Sequence, residues 1–236
     1  MSDYSVIQAV DFGLGQHLAH IYADAMDSGP QNWRQLLKRP PQHKIFRGDF
    51  DEPHAAVRSL ESSQVAKQMS QWVSVNRPSL PIILYGRKPH IETVEPEAAG
   101  FQHEQVALTD SGQQVRLSFV MIVVEYRLTL MAWDKPTLDA MQLAWIFHVS
   151  NAKRRGHKFD LAYDIDGEPL DGITAEIIDP KTAAFEDMSL PLEQGRLHAV
   201  SLPVRVRAYA IQGARVSIPD PIRWQLELHM IEEGGY

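Results

Sequence analysis

The chain has 236 residues, a mass of 26.7 kDa and 44% hydrophobic side chains, enough for one substantial core. Its 23 Lys and Arg stand against 30 Asp and Glu, a net charge of -7, and an acidic surface disfavours gripping nucleic acid by counterion release. No cysteine is present, so disulfide bonds and thiolate chemistry are excluded.

The opening residues, MSDYSVIQAVDFG, lack a basic leader followed by an apolar stretch, and the longest uncharged apolar run, Leu117 to Val124, falls well short of the roughly 20 residues that span a bilayer. A soluble chain assembled in the cytosol is expected. From Leu14 to Met26 the positions Leu14, Leu18, Ile21 and Ala25 recur at helical spacing until Asp27-Ser28-Gly29-Pro30 breaks the pattern. Asn32 is placed to cap a brief helical turn from Trp33 to Arg39, which Pro40-Pro41 stops because proline has no amide donor and restricts the residue before it. One short strand is expected from Lys44 to Phe50. The stretch SLESSQVAKQMSQW then reads equally as a surface helix or a loop, ahead of a strand at Trp72 to Val75. Residues 1–77 thus read as a helical and loop extension of a single domain, 1–236.

Ser79 to Tyr85 is a compact apolar strand that Gly86-Arg87-Lys88-Pro89 is expected to end, opening a polar contact loop through Gly100. Gln105 to Thr109 and the residues from Gln113 onward flank Asp110-Ser111-Gly112, a hairpin turn by its chemistry. In the second arm the apolar residues lead at odd positions through Val123 and at even ones from Val124. A one-residue change of phase predicts a β-bulge near Val123-Val124.

A helix is predicted from Lys135 to Ala152. Asp134 suits the N-cap, Pro136 the first turn, and Asp139 the positive end of the helix dipole, with Lys153-Arg154-Arg155 and Gly156 at the other end. Leu138, Met141, Trp145, His148 and Val149 form one stripe. Leu143, Ile146 and Phe147 widen it, and so apolar a helix is expected to be covered on more than one side. Beyond it, Phe159, Leu161 and Tyr163 alternate, Asp166-Gly167 turns, Ile173 to Ile178 returns, and Pro180 to Phe185 reads as a helical turn. Two further strands alternate strictly, Val204 to Ala210 around Arg205 and Arg207, and Ile222 to Met230. The expected fold class is α+β: a mostly antiparallel twisted sheet packed with a long central helix and one or two short N-terminal helices.

The chemical motifs are incomplete. His17, His20 and Asp24 share one helical face, a spacing open to metal ligation, but no second ligand signature accompanies them and a surface or interface role is the plainer reading. Asp164-Ile165-Asp166-Gly167 resembles the opening of a calcium loop, yet Pro169 stands where that loop needs glycine. Asp11-Phe12-Gly13 and Gly13-x-Gly15 imitate nucleotide-site fragments without their context, and read as a loop entering a helix. Arg47-Gly48-Asp49 is a three-letter coincidence. No catalytic, cofactor or metal residue is assigned, and an enzyme is not expected. The basic loop Arg87, Lys88 and His90 and the strand pair Arg205 and Arg207 are candidate protein-interface residues, set against the plainer reading of a solvated surface.

The segments SLPIILYGRKPHIE, VEYRLTLMAWDKPTLDAMQLAWIFHVSN and HAVSLPVRVRAYAI resemble the tail terminator (tail completion) proteins of long-tailed bacteriophages, over roughly Pro78 to Ile211. The resemblance implies a structural virion protein of the tail and neck, assembled in the host cytoplasm as a homo-oligomeric ring, commonly a hexamer. It would cap the tail tube, touch the sheath if the tail contracts, and meet neck or head-completion proteins while DNA passes through its lumen. It carries no active-site residues. Two alternatives stay open: a small α+β enzyme or ligand-binding protein whose polar groups converge only in the fold, and another neck or baseplate subunit.

Overall fold

A computed structural model describes residues 6–48, 53, 55, 57, 80–94, 104–108, 114–151, 156–165, 168–179, 184–192 and 195–215. The α-helices are α1 (Val6–Ile21), α2 (Gln31–Lys38) and α3 (Lys135–Val149), with a 3-10 turn at Pro41–His43. The strands are β1 (Ile45–Arg47), β2 (Ile82–Thr93), β3 (Glu104–Leu108), β4 (Gln114–Ala132), β5 (Lys158–Ile165), β6 (Glu168–Ile177), β7 (Glu186–Asp187), β8 (Leu190–Leu192) and β9 (Gly195–Arg215). They form a nine-stranded sheet in the order β1-β2-β4-β9-β6-β5, with β3 beside β4 and β7 and β8 beside β9. Only β1 runs parallel to its neighbour, β2.

This corrects the expected fold class. Among the described residues the chain is mostly sheet, curled into half a barrel and carrying short helices, with no long central helix. The physical reason lies in the strands. β4 and β9 pair without interruption from Val115–Arg215 to Ala132–His198, so one long ribbon rather than a helix forms the spine. β9 starts nine residues before the alternation that begins at Val204, running straight through Pro203. β2 likewise continues past Gly86-Arg87-Lys88-Pro89, because a register irregularity between Arg87 and Ile91 absorbs the extra residues instead of ending the strand.

That irregularity also replaces the bulge predicted near Val123-Val124. Against β9 the register of β4 is unbroken there, and the extra residues sit on β2. The change of apolar phase is shared by both strands of the ribbon. Ile122 and Phe119 enter the main core, as do their partners Ala208 and Ile211, so the two strands turn together as the sheet curls. The hairpins β3–β4 and β5–β6 pair around Leu108–Gln114 and Ile165–Glu168. The residues of their turns, the proposed strands at Trp72 to Val75 and Ile222 to Met230, Lys153-Arg154-Arg155 and most of Pro180 to Phe185 lie outside the described residues.

The helices cover one face of the sheet. Val10, Leu14, Leu18 and Ile21 of α1 join Trp33 and Leu36 of α2, Met141 and Trp145 of α3, and Val124, Tyr126, Val204 and Val206 of the ribbon in one core. α1 begins earlier than Leu14 and contains Asp11-Phe12-Gly13 and Gly15, which the sequence reads as a loop. The glycines are there for close approach. A Cβ on Gly13 would stand 2.7 Å from Leu161 Cδ2, and one on Gly15 would stand 2.5 Å from the Tyr85 hydroxyl. On the opposite face a smaller cluster of Ile82, Leu84, Met131, Leu197 and Ala199 closes over Leu80 and Val57, so the upper end of β2 is buried on both sides.

α3 begins as expected, with Asp134 Oδ1 accepting from the Thr137 amide at 2.9 Å. It ends at Val149, three residues before the expected boundary, and buries Leu138, Met141, Trp145 and Val149. Among the described residues of one protomer the outer side of α3 is open: Leu143 and Phe147 are 49% and 66% exposed. α2 begins two residues earlier than expected: Pro30 is its N-cap, and Asn32 lies inside the helix and donates instead to Asp134 Oδ2 at 2.6 Å. Among the described residues no helix is long and apolar enough to cross a membrane.

Candidate functional site

The most heavily charged interior point is on α1. Asp11 is fully buried, and its carboxylate accepts from the Tyr126 hydroxyl at 2.7 Å and from the Arg47 guanidinium, with Arg87 Nε 3.4 Å away. Burial first, then the Asp11 charge, pushes the Tyr126 phenol far up. Arg87, a candidate interface residue, is thereby turned towards the core face of β2 and placed against α1. Lys88 and His90 follow in the irregular part of that strand.

On the other face of the sheet His90 Nε2 lies 3.7 Å from Glu92, which also accepts from Arg205 Nη2 at 2.9 Å. Val204, Val206 and Ala208 point into the main core, so Arg205 and Arg207 project away from the helices. Three of the five residues singled out by sequence, His90, Arg205 and Arg207, therefore share the outer face, and Arg87 does not.

His17 marks a corner where three elements meet. Its Nε2 is 2.9 Å from the Gly156 carbonyl, its ring stacks on Phe159 at 5.1 Å, and His148 stands edge-on at 5.4 Å. Burial lowers its pKa to about 4; the Gly156 carbonyl opposes this, and His148, His20 and His157 add to the lowering. His20 pairs instead with Asp24 at 3.3 Å. The face that suggested metal ligation thus divides into a buried hydrogen-bonded ring and an exposed pair. Among the described residues no three His, Asp or Glu side chains converge to hold a metal ion.

Two buried cations lock the neighbouring turns. Lys44 Nζ donates to the Tyr22 and Leu37 carbonyls, each at 3.3 Å, where the orphaned carbonyls of α1 and α2 end. Arg39 donates to the Pro81 and Leu80 carbonyls at 3.0 and 3.2 Å. Burial lowers the pKa of both, and for Lys44 the Arg39 charge adds to it.

The open feature lies beside α3. A groove of about 410 Å³ runs between the end of α1 and the outer ridge of α3, with Ala140 and Ala144 in its floor and Leu143 and Phe147 along its edge. Met26, 75% exposed, stands at its rim, and Trp33 closes one wall with its indole N–H donated to the Met26 carbonyl at 3.1 Å. Asp24 is the one described lining residue that carries a formal charge at neutral pH. The size and apolar lining suit a docking side chain or a small apolar ligand.

Chemically these parts differ in use. Asp11 is committed to two guanidiniums and a phenol, and the His17 Nε2 to a backbone carbonyl, so both hold elements together. The groove alone combines openness, apolar surface and a carboxylate. Sequence reasoning missed the Asp11 cluster because its members stand as much as 115 positions apart. It flagged the excess apolarity of α3 without locating the groove. No family model matches the sequence, and no curated protein matches it.

Proposed function

We propose that this chain is a structural subunit that assembles with copies of itself into a ring, of six subunits, which caps a phage tail tube and joins it to the neck. The observation that carries the reading is the exposed apolar ridge of α3 beside its groove. Contiguous apolar surface rimmed by polar groups marks a surface awaiting a partner. The resemblance of Pro78 to Ile211 to tail terminators supplies the kind of assembly, with tube, sheath and neck proteins as further contacts and the virion tail as its place. The net charge of -7 is compatible with a lumen through which DNA slides without being held.

The test is to mix the protein with tail tube subunits and image the products. Tubes of limited length with an added density at one end are expected. Tubes that keep lengthening with bare ends would sink the reading. A second reading, a binding protein for a small apolar ligand, is favoured by the groove itself. It predicts saturable binding of an apolar fluorophore by the monomer that Ala144→Trp abolishes.

A further inference from the structure

We propose that the groove beside α3 is the seat for Arg207 of a second copy of this chain, in a head-to-tail contact; the inference rests on the ring reading above. Four observations converge on this occupant. First, the groove asks for an apolar stem with a cationic end. Ala140 and Ala144 leave room along its floor, Phe147 presents an open aromatic face, and Asp24, with its side chain 52% exposed, supplies the carboxylate. Asp139 lies one helical turn before Leu143 on the same ridge and is also exposed. An arginine meets these demands together: its methylenes lie on apolar surface, and its planar guanidinium stacks on an aromatic ring while pairing with a carboxylate.

Second, Arg207 is an exposed cation with no hydrogen-bond or ion-pair partner among the described residues, whereas the neighbouring Arg205 is held by Glu92. Third, Arg207 and the groove lie on opposite faces of one sheet. The residues flanking Arg207, Val206 and Ala208, enter the core on which α1 and α3 pack. Fourth, a donor and an acceptor on opposite faces cannot satisfy each other about a two-fold axis. Each copy gives Arg207 to one neighbour and receives it from the other, which generates a ring when the rotation closes.

The absence of cysteine makes the contact directly testable. Ser28→Cys, in the lining of the groove, and Thr174→Cys, two residues from Glu176, the register partner of Arg207 on β6, each place a single thiol at an exposed position and leave Phe147, Asp24 and Arg207 in place; unchanged unfolding midpoints confirm that both fold. The two variants are mixed, with and without tail tubes, and treated with a short bis-maleimide. A cross-linked dimer is expected in the mixture at ten or more times the yield from either variant alone. A chain carrying both cysteines should give a ladder that stops at the ring size. Adding Asp24→Lys to the Ser28→Cys chain should lower the mixed yield about tenfold. Equal cross-linking of Ser28→Cys with itself would show a two-fold seat and overturn the proposal, as would a mixture, on tubes and off them, that reacts no more than its components. Tubes capped by protein that fails to cross-link refute this contact alone. A full ladder that never caps a tube refutes the tail reading alone.

Discussion

Asp11→Ala is expected to destabilise the fold by about 3 to 5 kcal/mol, the cost of removing one partner from a buried charged cluster. The magnitude follows from what the carboxylate holds. The Tyr126 hydroxyl, buried and 2.7 Å away, loses a charged acceptor, worth about 1.5 to 3 kcal/mol. Arg87, with 29% of its side chain exposed, keeps little access to water and is left facing the core without its counter-ion. Arg47, 53% exposed, rehydrates and adds at most about 1 kcal/mol. Tyr126→Phe alone should cost about 1.5 to 3 kcal/mol, and the double variant should fall short of the sum by about 0.5 to 3 kcal/mol because the two groups share one interaction. Urea unfolding followed by fluorescence is the assay. At a slope of about 3 kcal/mol/M the Asp11→Ala midpoint should fall by at least about 1 M. A midpoint within about 0.3 M of the parent at unchanged slope would refute the reasoning and mean that water already serves the cluster.

Trp145→Ala should cost about 3 to 5 kcal/mol, since the indole is fully buried between α3 and the sheet; an unchanged denaturation midpoint would remove α3 from the core. Gly156→Ala should lower the thermal midpoint more than Gly13→Ala does. The new Cβ at Gly156 meets the His148 carbonyl oxygen at 1.9 Å, which is backbone, whereas at Gly13 it meets the movable tip of Leu161; equal midpoints would contradict this. Stability should fall as the pH drops from about 6.5 to 4. The folded pKa of His17, about 4, lies below its ordinary 6.5, so the unfolded chain takes up the proton first and up to about 3 kcal/mol is lost across that window. Denaturation midpoints measured across this range should flatten in His17→Gln, and a slope that the variant leaves intact would assign the effect elsewhere.

Legibility in the sequence tracked how local each cause is. The start of α3 could be read because its cap, its first-turn proline and its first helical turns lie within a few residues of one another. The β5–β6 hairpin and the alternation around Arg205 and Arg207 were readable for the same reason. The start of α1 was not. Asp11, Gly13 and Gly15 each disfavour a helix taken alone, and each is required by something distant: two arginines and a phenol, the Leu161 side chain, and the Tyr85 hydroxyl. Gly86-Arg87-Lys88-Pro89 misled in the same way. Its breaker chemistry is real, but Arg87 is anchored to Asp11 and the strand resumes beyond the irregularity. The apolarity of α3 misled differently: it was read as cover on more than one side, whereas Leu143 and Phe147 stay exposed.

That apolarity has two parts with different consequences. The inner stripe of α3, Leu138, Met141, Trp145 and Val149, fills the core and accounts for folding. The outer ridge contributes little to it, because Leu143 and Phe147 remain largely open to water. A helix needing only to cover its sheet would carry polar residues there, as Asp139 does one turn earlier on the same ridge. The two parts should therefore separate by mutation. Phe147→Ser should leave the unfolding midpoint within about 0.5 kcal/mol of the parent, the usual range for a surface change, while abolishing self-association and tube capping. Leu138→Ala, on the inner stripe, should lower stability by about 2 to 5 kcal/mol yet still yield rings at temperatures where it stays folded. Sedimentation and electron microscopy of the two variants side by side decide the matter. Rings formed by Phe147→Ser at the parent's concentration would mean that the exposed ridge has no part in assembly.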